Sequence, residues 1–244
     1  MLRLDRFLSG QGALTRREAA KAAKAGRITV NGEPVRSADV KIDENSDRVA
    51  LDGTAVEWRQ FVYIMLCKPE GYISSTDDPR EKTVLELLAE RERRIGLFPC
   101  GRLDKDSTGL LILTNDGALA HRLLSPKYHC DKKYIVNIAA PIEDAETVSR
   151  LESGVDIGGE TTLPARFAPL TPTRFEVTLR EGKYHQIKRM FEAVGNKVVT
   201  LRRVAFAGIE LDERLKSGEW RYLTEEETAA LRAAADRPRR AEEE

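Results

Sequence analysis

Two apolar runs decide what this 244-residue chain can be: "FVYIMLC" (61–67) and "GLLILT" (109–114). Both are short, and each is closed by turn residues, "KPEG" after the first and Asn115-Asp116-Gly117 after the second. Short apolar runs bounded in this way read as buried strands. "KKYIVNI", "RFEVTL" and "NKVVTLRRVAF" add further strands. Helices are expected at "TVLELLAERERR" and at "KYHQIKRMFEAVG", whose apolar stripe is Ile187, Met190, Phe191 and Val194 and whose stop is Gly195. Strands outnumber helices and do not alternate with them regularly. The expected fold class is therefore α+β, with a mixed, largely antiparallel sheet rather than a doubly wound parallel one.

The first part of the chain is patterned differently. Leu4, Phe7 and Leu8 recur at helical spacing, and Thr15 with Glu18 forms a capping-box pattern at the head of "TRREAAKAAKAG". "RITVNGEPV" predicts a hairpin turning at Asn31-Gly32, and "DRVALDGTAV" predicts further short strands. A small domain over 1–58, a larger one over 61–232 and a disordered tail over 233–244 follow from these shifts. With 41% hydrophobic residues, the chain has enough apolar material for two cores.

The formal net charge is zero, but the charge is segregated. Residues 1–27 carry an excess of five positive charges, 28–58 an excess of four negative ones, and 180–203 again five positive ones. Segregated basic patches attract an anionic partner. Arg17, Lys21 and Lys24 recur at spacings of four and three, on one face of the second helix, with Arg3, Arg6 and Arg16 close by. That pattern suits phosphate contacts. The helix has no Asn or Gln to read base edges, which argues against a sequence-specific DNA regulator. Cys67, Cys100 and Cys130 are an odd number without metal spacing, and His121, His129 and His185 form no ligand pair, so neither a disulfide framework nor a metal site is expected. No signal peptide or membrane span is visible in the sequence, and a soluble, cytoplasmic protein is expected.

The densest chemistry lies in "GRLDKDSTGLLILTNDG" (101–117), where Asp104 and Asp106 share a turn with Arg102 and Lys105. A turn needs only one Asp, so the surplus charge asks for another explanation. Burial neutralises a carboxylate unless a cation stands beside it. A carboxylate crowded by cations at the mouth of a buried strand thus suits a desolvated nucleophile or base. Composition does not choose between the two aspartates.

The same stretch resembles the signature of RNA pseudouridine synthases of the RsuA branch. "LCKPEGYISSTDD", "SPKYHCDKKYIV" and "EGKYHQIKRMFEAVGN" match the same branch in order. "RLDRFLSGQGALTRREAAKAAKAGRITVNGEPV" is similar to the S-four RNA-binding module over about the first sixty residues, and turns the expected partner from DNA to structured RNA. The resemblance implies conversion of uridine to pseudouridine without any cofactor. It gives Asp104 the catalytic role and leaves Asp106 to stabilise the turn. It makes Tyr134 the residue that stacks on the uracil ring and Lys188 the ion-pair partner of Asp104. Arg102 would displace the target base or fill its gap, Leu201 would pack beside the base, and Lys68 would support the site or contact RNA. Arg189 joins Arg3, Arg6, Arg16, Arg17, Lys21 and Lys24 as an expected RNA contact. Within the branch, "STDDPREKTVLELL" and "GKYHQIKRMF" resemble enzymes of the small ribosomal subunit. The implied target is 16S rRNA, free or in an assembling subunit, at uridine-516 of helix 18, modified by a monomer. A large-subunit 23S target and a non-catalytic assembly factor are the competing readings.

Overall fold

A computed structural model describes residues 1–125 and 130–236. Residues 126–129, which include His129 and part of "SPKYHC", and residues 237–244 of the expected tail lie outside the described residues. The chain divides into two compact units, one of residues 1–62 and 85–98, the other of 63–84 and 99–244.

In the first unit, β1 (Leu2–Arg3) leads into α1 (Leu4–Gly10) and α2 (Arg16–Lys24). The capping box forms as the sequence predicts: Thr15 Oγ1 accepts the Glu18 N–H, and Glu18 accepts the Thr15 N–H. Ala19, Ala22 and Ala23 of α2 are buried with Leu4, Phe7 and Leu8 of α1 in one apolar cluster. That leaves Arg16, Arg17, Lys21 and Lys24 on the exposed side. β2 (Ile28–Val30) pairs with β3 (Glu33–Pro34) and with β5 (Val49–Leu51), which pairs with β6 (Thr54–Ala55); β4 (Lys41–Ile42) pairs with β1. Asn31 and Gly32 both have positive φ, as the predicted two-residue hairpin requires.

The unit reaches further than residue 58. Trp58 stacks on Phe7 at 5.4 Å, and the Gln11 side chain bonds both backbone groups of Arg59 at 3.1 Å. The stretch expected to be one amphipathic helix is a 3₁₀ turn, Val84–Leu87, followed by the single-turn helix α3 (Glu90–Arg93). It packs here because Gly12 lets the Arg91 carbonyl come close: a Cβ on Gly12 would stand 2.1 Å from that oxygen. The Arg91 Nε–H in turn donates to Gln11 O at 3.1 Å.

The second unit is built on a sheet with strands ordered β11 (Arg166–Thr171), β12 (Arg174–Leu179), β10 (Lys132–Ile138), β13 (Val198–Phe206), β9 (Thr108–Thr114), β7 (Tyr63–Lys68) and β15 (Trp220–Tyr222). β8 (Phe98–Cys100) adds to β9, and β14 (Ile209–Glu210) adds to β13. Among the described residues, β9 and β13 run parallel, and the pairs β10–β12, β10–β13, β11–β12, β13–β14, β7–β9 and β7–β15 run antiparallel, so the sheet is mixed and largely antiparallel, as expected. β7 is buried along its length and β9 is buried beyond Thr108, in line with their unbroken apolar sequences. α4 (Gly117–Leu124), α5 (Ala145–Ser153), α6 (Gln186–Ala193) and α7 (Glu225–Ala235) complete the unit. The Asn-Asp-Gly turn does double duty, since Asp116 caps α4 by accepting the Leu119 N–H. α7 runs through Ala233–Ala235, which the sequence reading assigns to a disordered tail; Ala234 and Ala235 are buried. An all-alanine end carries little apolar signal of its own. Among the described residues, no helix is long and apolar enough to cross a membrane.

The parallel contact between β9 and β13 is confined to Arg202 opposite Thr108 and Arg203 opposite Gly109. Gly109 makes it possible. Its φ is +99°, and a Cβ there would lie 2.2 Å from the Arg203 carbonyl oxygen.

Candidate active site

Asp104 lies in the turn that leads into β9, and contacts from two preceding segments fix that turn. Ser74 Oγ donates to Leu103 O at 2.9 Å and accepts the Leu103 N–H at 3.0 Å. The Gly71 N–H reaches Lys105 O at 2.8 Å, and the Ser107 N–H closes the turn on Asp104 O at 3.1 Å. Beneath it sits Lys68, the last residue of β7, wholly buried. Its Nζ donates to Ser107 O at 2.7 Å, Asp104 O at 2.9 Å and Pro69 O at 3.1 Å. Burial pushes this ammonium down to about 8. Of the two roles expected for Lys68, support of the site is the one its geometry allows. An ammonium spent on backbone carbonyls inside the protein does not reach RNA, so its place among substrate contacts is corrected.

The carboxylate of Asp104 meets Lys188, in the first turn of α6, at 3.2 Å from Oδ2. The same Nζ stands 2.6 Å from Asp106 Oδ1. Partial burial pulls Lys188 down, but its bonds to Asp106 and Asp104 outweigh this and leave its pKa raised. Asp106 is held below the usual carboxylate range, first by the Lys188 hydrogen bond. Asp106 is therefore part of the charged cluster and not a turn former only, a correction to the sequence reading. The miss has a physical reason: the partner comes from α6, 82 residues further along the chain. His185 precedes α6 in the left-handed region, at φ 49°, with Nε2 3.5 Å from Asp104 Oδ1 and its ring stacked on Tyr184.

Asp104 faces a cavity of about 470 Å³ whose lining includes Arg102, Tyr134 and Leu201. This is within the size range of small-ligand sites, about 300–1,000 Å³. Tyr134, Val136 and Ile138 alternate inward along β10 as the pattern predicts. Leu201 enters from the neighbouring β13, opposite Val136. Arg102 is exposed at the cavity wall. Lys188 approaches Asp104 from a second hollow of about 410 Å³, shared with Glu70, Asp106 and His185. Asp104, Arg102, Tyr134, Leu201 and Lys188 thus come together from four stretches of sequence.

Arg203 also lines the first cavity, although no sequence motif singles it out. It is 2% exposed, donates from Nε to Leu110 O at 2.7 Å, and lies over the Phe206 ring at 5.3 Å. Period-two alternation was the available signal: if Leu201 points inward on β13, Arg203 does as well. Arg189, by contrast, turns into its own neighbourhood, bonding Ile157 O, Glu160 at 3.2 Å and Tyr184 O at 3.3 Å. It is engaged within the protein rather than offered to RNA. Arg3 is likewise ion-paired, to Asp5 at 2.7 Å and to Asp39, whereas Arg6 is exposed. Among the described residues, no group of three or more His, Cys, Asp and Glu is placed to hold a metal ion.

Residues 62–193 match the family model of RNA pseudouridylate synthase, and residues 2–47 match that of the S4 domain. The chain is 45% identical to the "uncharacterized RNA pseudouridine synthase YtzG" of Bacillus subtilis (strain 168), covering 94% of this chain and 98% of that one. It is 44% identical to ribosomal small subunit pseudouridine synthase A of Escherichia coli (strain K12), over 94% of this chain and all of the other. A crystal structure of a pseudouridylate synthase superposes with a TM-score of 0.67 at 39% identity, over 95% of this chain and all of that one.

Proposed function

The chain belongs to the RNA pseudouridine synthase family, and from that premise we propose that it isomerises one uridine of 16S rRNA to pseudouridine, at position 516 of helix 18. The observation that carries this reading is the Asp104–Lys188 pair at a cavity walled by Tyr134 and Leu201. Pseudouridine formation breaks the bond between the sugar and the base nitrogen, turns the base, and rejoins the sugar to ring carbon 5. Every atom is retained, so the reaction needs positioning and charge rather than an oxidant or a group donor. Asp104 supplies the anionic oxygen, and Lys188 stands beside it as its cationic partner at 3.2 Å. Tyr134 stacks on the uracil and Leu201 packs beside it. Arg102, exposed at the cavity wall, occupies the gap left by the everted base, whose unstacking costs a few kcal/mol.

The basic face of α2 supports the choice of an RNA substrate, because its cations are exposed while its alanines are buried. Those cations set register on the phosphate backbone. The small-subunit assignment rests on the likeness to the Escherichia coli enzyme, whose name states that subunit. The protein acts as a cytoplasmic monomer, on free rRNA or on an assembling particle. The test is carbodiimide mapping of 16S rRNA from cells carrying either the intact protein or Asp104→Asn. The variant is expected to bind RNA and leave uridine-516 unmodified. Modification at a 23S position instead would move the target. Full modification by the variant would refute the role of Asp104.

A further inference from the structure

The cavity beside Asp104 has acidic groups that are all engaged and two cations with no carboxylate partner among the described residues. Its acidic lining residues are Asp104 and Glu181. Asp104 is paired with Lys188, and Glu181 accepts from Gln186 Nε2 at 2.7 Å and from the Leu163 N–H at 2.8 Å. Two cations of the same lining, Lys132 and Arg203, have no carboxylate within ion-pair distance among the described residues. The nearest acidic neighbour in sequence, Asp131, is turned to Arg180 at 3.2 Å. Arg203 is almost wholly buried, and its Nη2 has no protein partner; Ser107 Oγ, also buried in that lining, has none either. Among the described residues, Lys132 donates to the Cys130 carbonyl, at 3.3 Å, and the two cations share the Phe206 ring, at 5.8 and 5.3 Å.

A buried arginine without a counterion is costly, and two adjacent cations more so. The strain shows on Lys132, whose pKa is lowered first by burial and then by the charge of Arg203. Such a pair is stabilised when an anion enters, since hydrogen bonds between charged partners are about twice as strong as neutral ones. Arginine and lysine together suit a phosphate, the first through its fork and the second as a point charge. Ser107 adds a hydroxyl donor.

We propose that Lys132 and Arg203, with Ser107, form the subsite for a phosphate flanking the uridine that meets Asp104. The inference rests on the proposed uridine chemistry and extends it: the cavity recognises a nucleotide, not merely a base. The phosphate group fills the unpaired end, and the sugar spans towards Asp104. A second acceptor chemistry, a carbonyl of the uracil ring, would satisfy the same donors, and the test separates the two.

The measurement is the affinity of the full-length protein for uridine, uridine 5′-monophosphate and uridine 3′-monophosphate. It is made on the wild type and on Lys132→Met and Arg203→Met, with circular dichroism to check folding. In the wild type, one monophosphate is expected to bind about tenfold more tightly than the nucleoside, the effect of one charge-assisted contact. In Lys132→Met the advantage should fall to within about twofold, with uridine binding unchanged. Lys132 is only partly buried, so this variant decides the matter even if Arg203→Met fails to fold. Equal binding of uridine and both monophosphates by the wild type, or an advantage that survives Lys132→Met, would overturn the proposal. Loss of uridine binding along with the advantage would assign the cations to a ring carbonyl and overturn it as well. Wild-type turnover on 16S rRNA, run in parallel, tests the parent reading separately: a phosphate preference without turnover would leave the subsite standing and remove the uridine chemistry.

Discussion

Replacing Lys68 by methionine tests how the reactive turn is held. The ammonium makes three bonds of 3.1 Å or less to Ser107, Asp104 and Pro69 carbonyls. Each bond to a charged donor is worth about 1.5–3 kcal/mol, and burying the ammonium costs several kcal/mol in the other direction. The Asp104 carbonyl keeps the Ser107 N–H after the change. The net loss of stability is therefore modest, about 1–3 kcal/mol. The effect on chemistry is larger, because the same carbonyls place the Asp104 carboxylate, and a displacement of about 1 Å costs roughly a hundredfold in rate. Urea unfolding and single-turnover isomerisation at saturating RNA read the two effects. A pH series adds a check with opposite signs. The folded pKa of Lys68 is about 8, against an ordinary value of 10.5. Between those values the unfolded chain binds more protons than the folded one. The contribution of Lys68 to stability thus rises with pH in that window and is lost as pH falls through 8. The isomerisation rate should fall over the same window, as the third donor leaves the turn. A Lys68→Met enzyme with wild-type single-turnover rate would refute the account.

Gly109→Ala should cost more than about 3 kcal/mol in urea unfolding, because its Cβ would overlap the Arg203 carbonyl at a φ of +99°. Lys21→Ala and Lys24→Ala should each weaken rRNA binding across sequences and lower the salt-dependence slope by roughly 0.7–0.9 per contact, measured by filter binding. Asp106→Asn should retain RNA binding and lower the single-turnover rate. Because Lys188 holds Asp106 below the usual carboxylate range, its contribution to stability is present at neutral pH and disappears only as pH falls through that lowered value.

The legible parts of the fold were those whose signal is local. The Thr15–Glu18 box, the Asn31-Gly32 hairpin and the unbroken apolar strands β7 and β9 each follow from residues within a few positions of one another. What escaped depends on partners distant in sequence. The stretch 85–98 packs with the first unit because Gly12 and Gln11 receive Arg91, which no periodicity announces. Asp106 reads as a turn former from its neighbours because Lys188 is invisible from the turn. Arg203 was hidden by its own chemistry: a basic residue in a strand reads as solvent-facing unless the inward register of Leu201 is followed two positions on.

These misses share a cause that bears on how the site works. Both ends of Asp104 are held by lysines from outside its turn. Its carbonyl rests on Lys68 from β7, and its carboxylate rests on Lys188 from α6. Neither lysine can do the other's work, since one is wholly buried against backbone and the other opens to the second hollow. The turn therefore needs little intrinsic rigidity, and the reactive oxygen inherits its position from the sheet and the helix. Lys188 is shared with Asp106 at the shorter distance, so it is never free to neutralise Asp104 alone. One lysine between two carboxylates leaves the charge of the pair only half answered. An anionic oxygen that shares its counterion in this way retains more nucleophilic or basic strength than one in an exclusive ion pair.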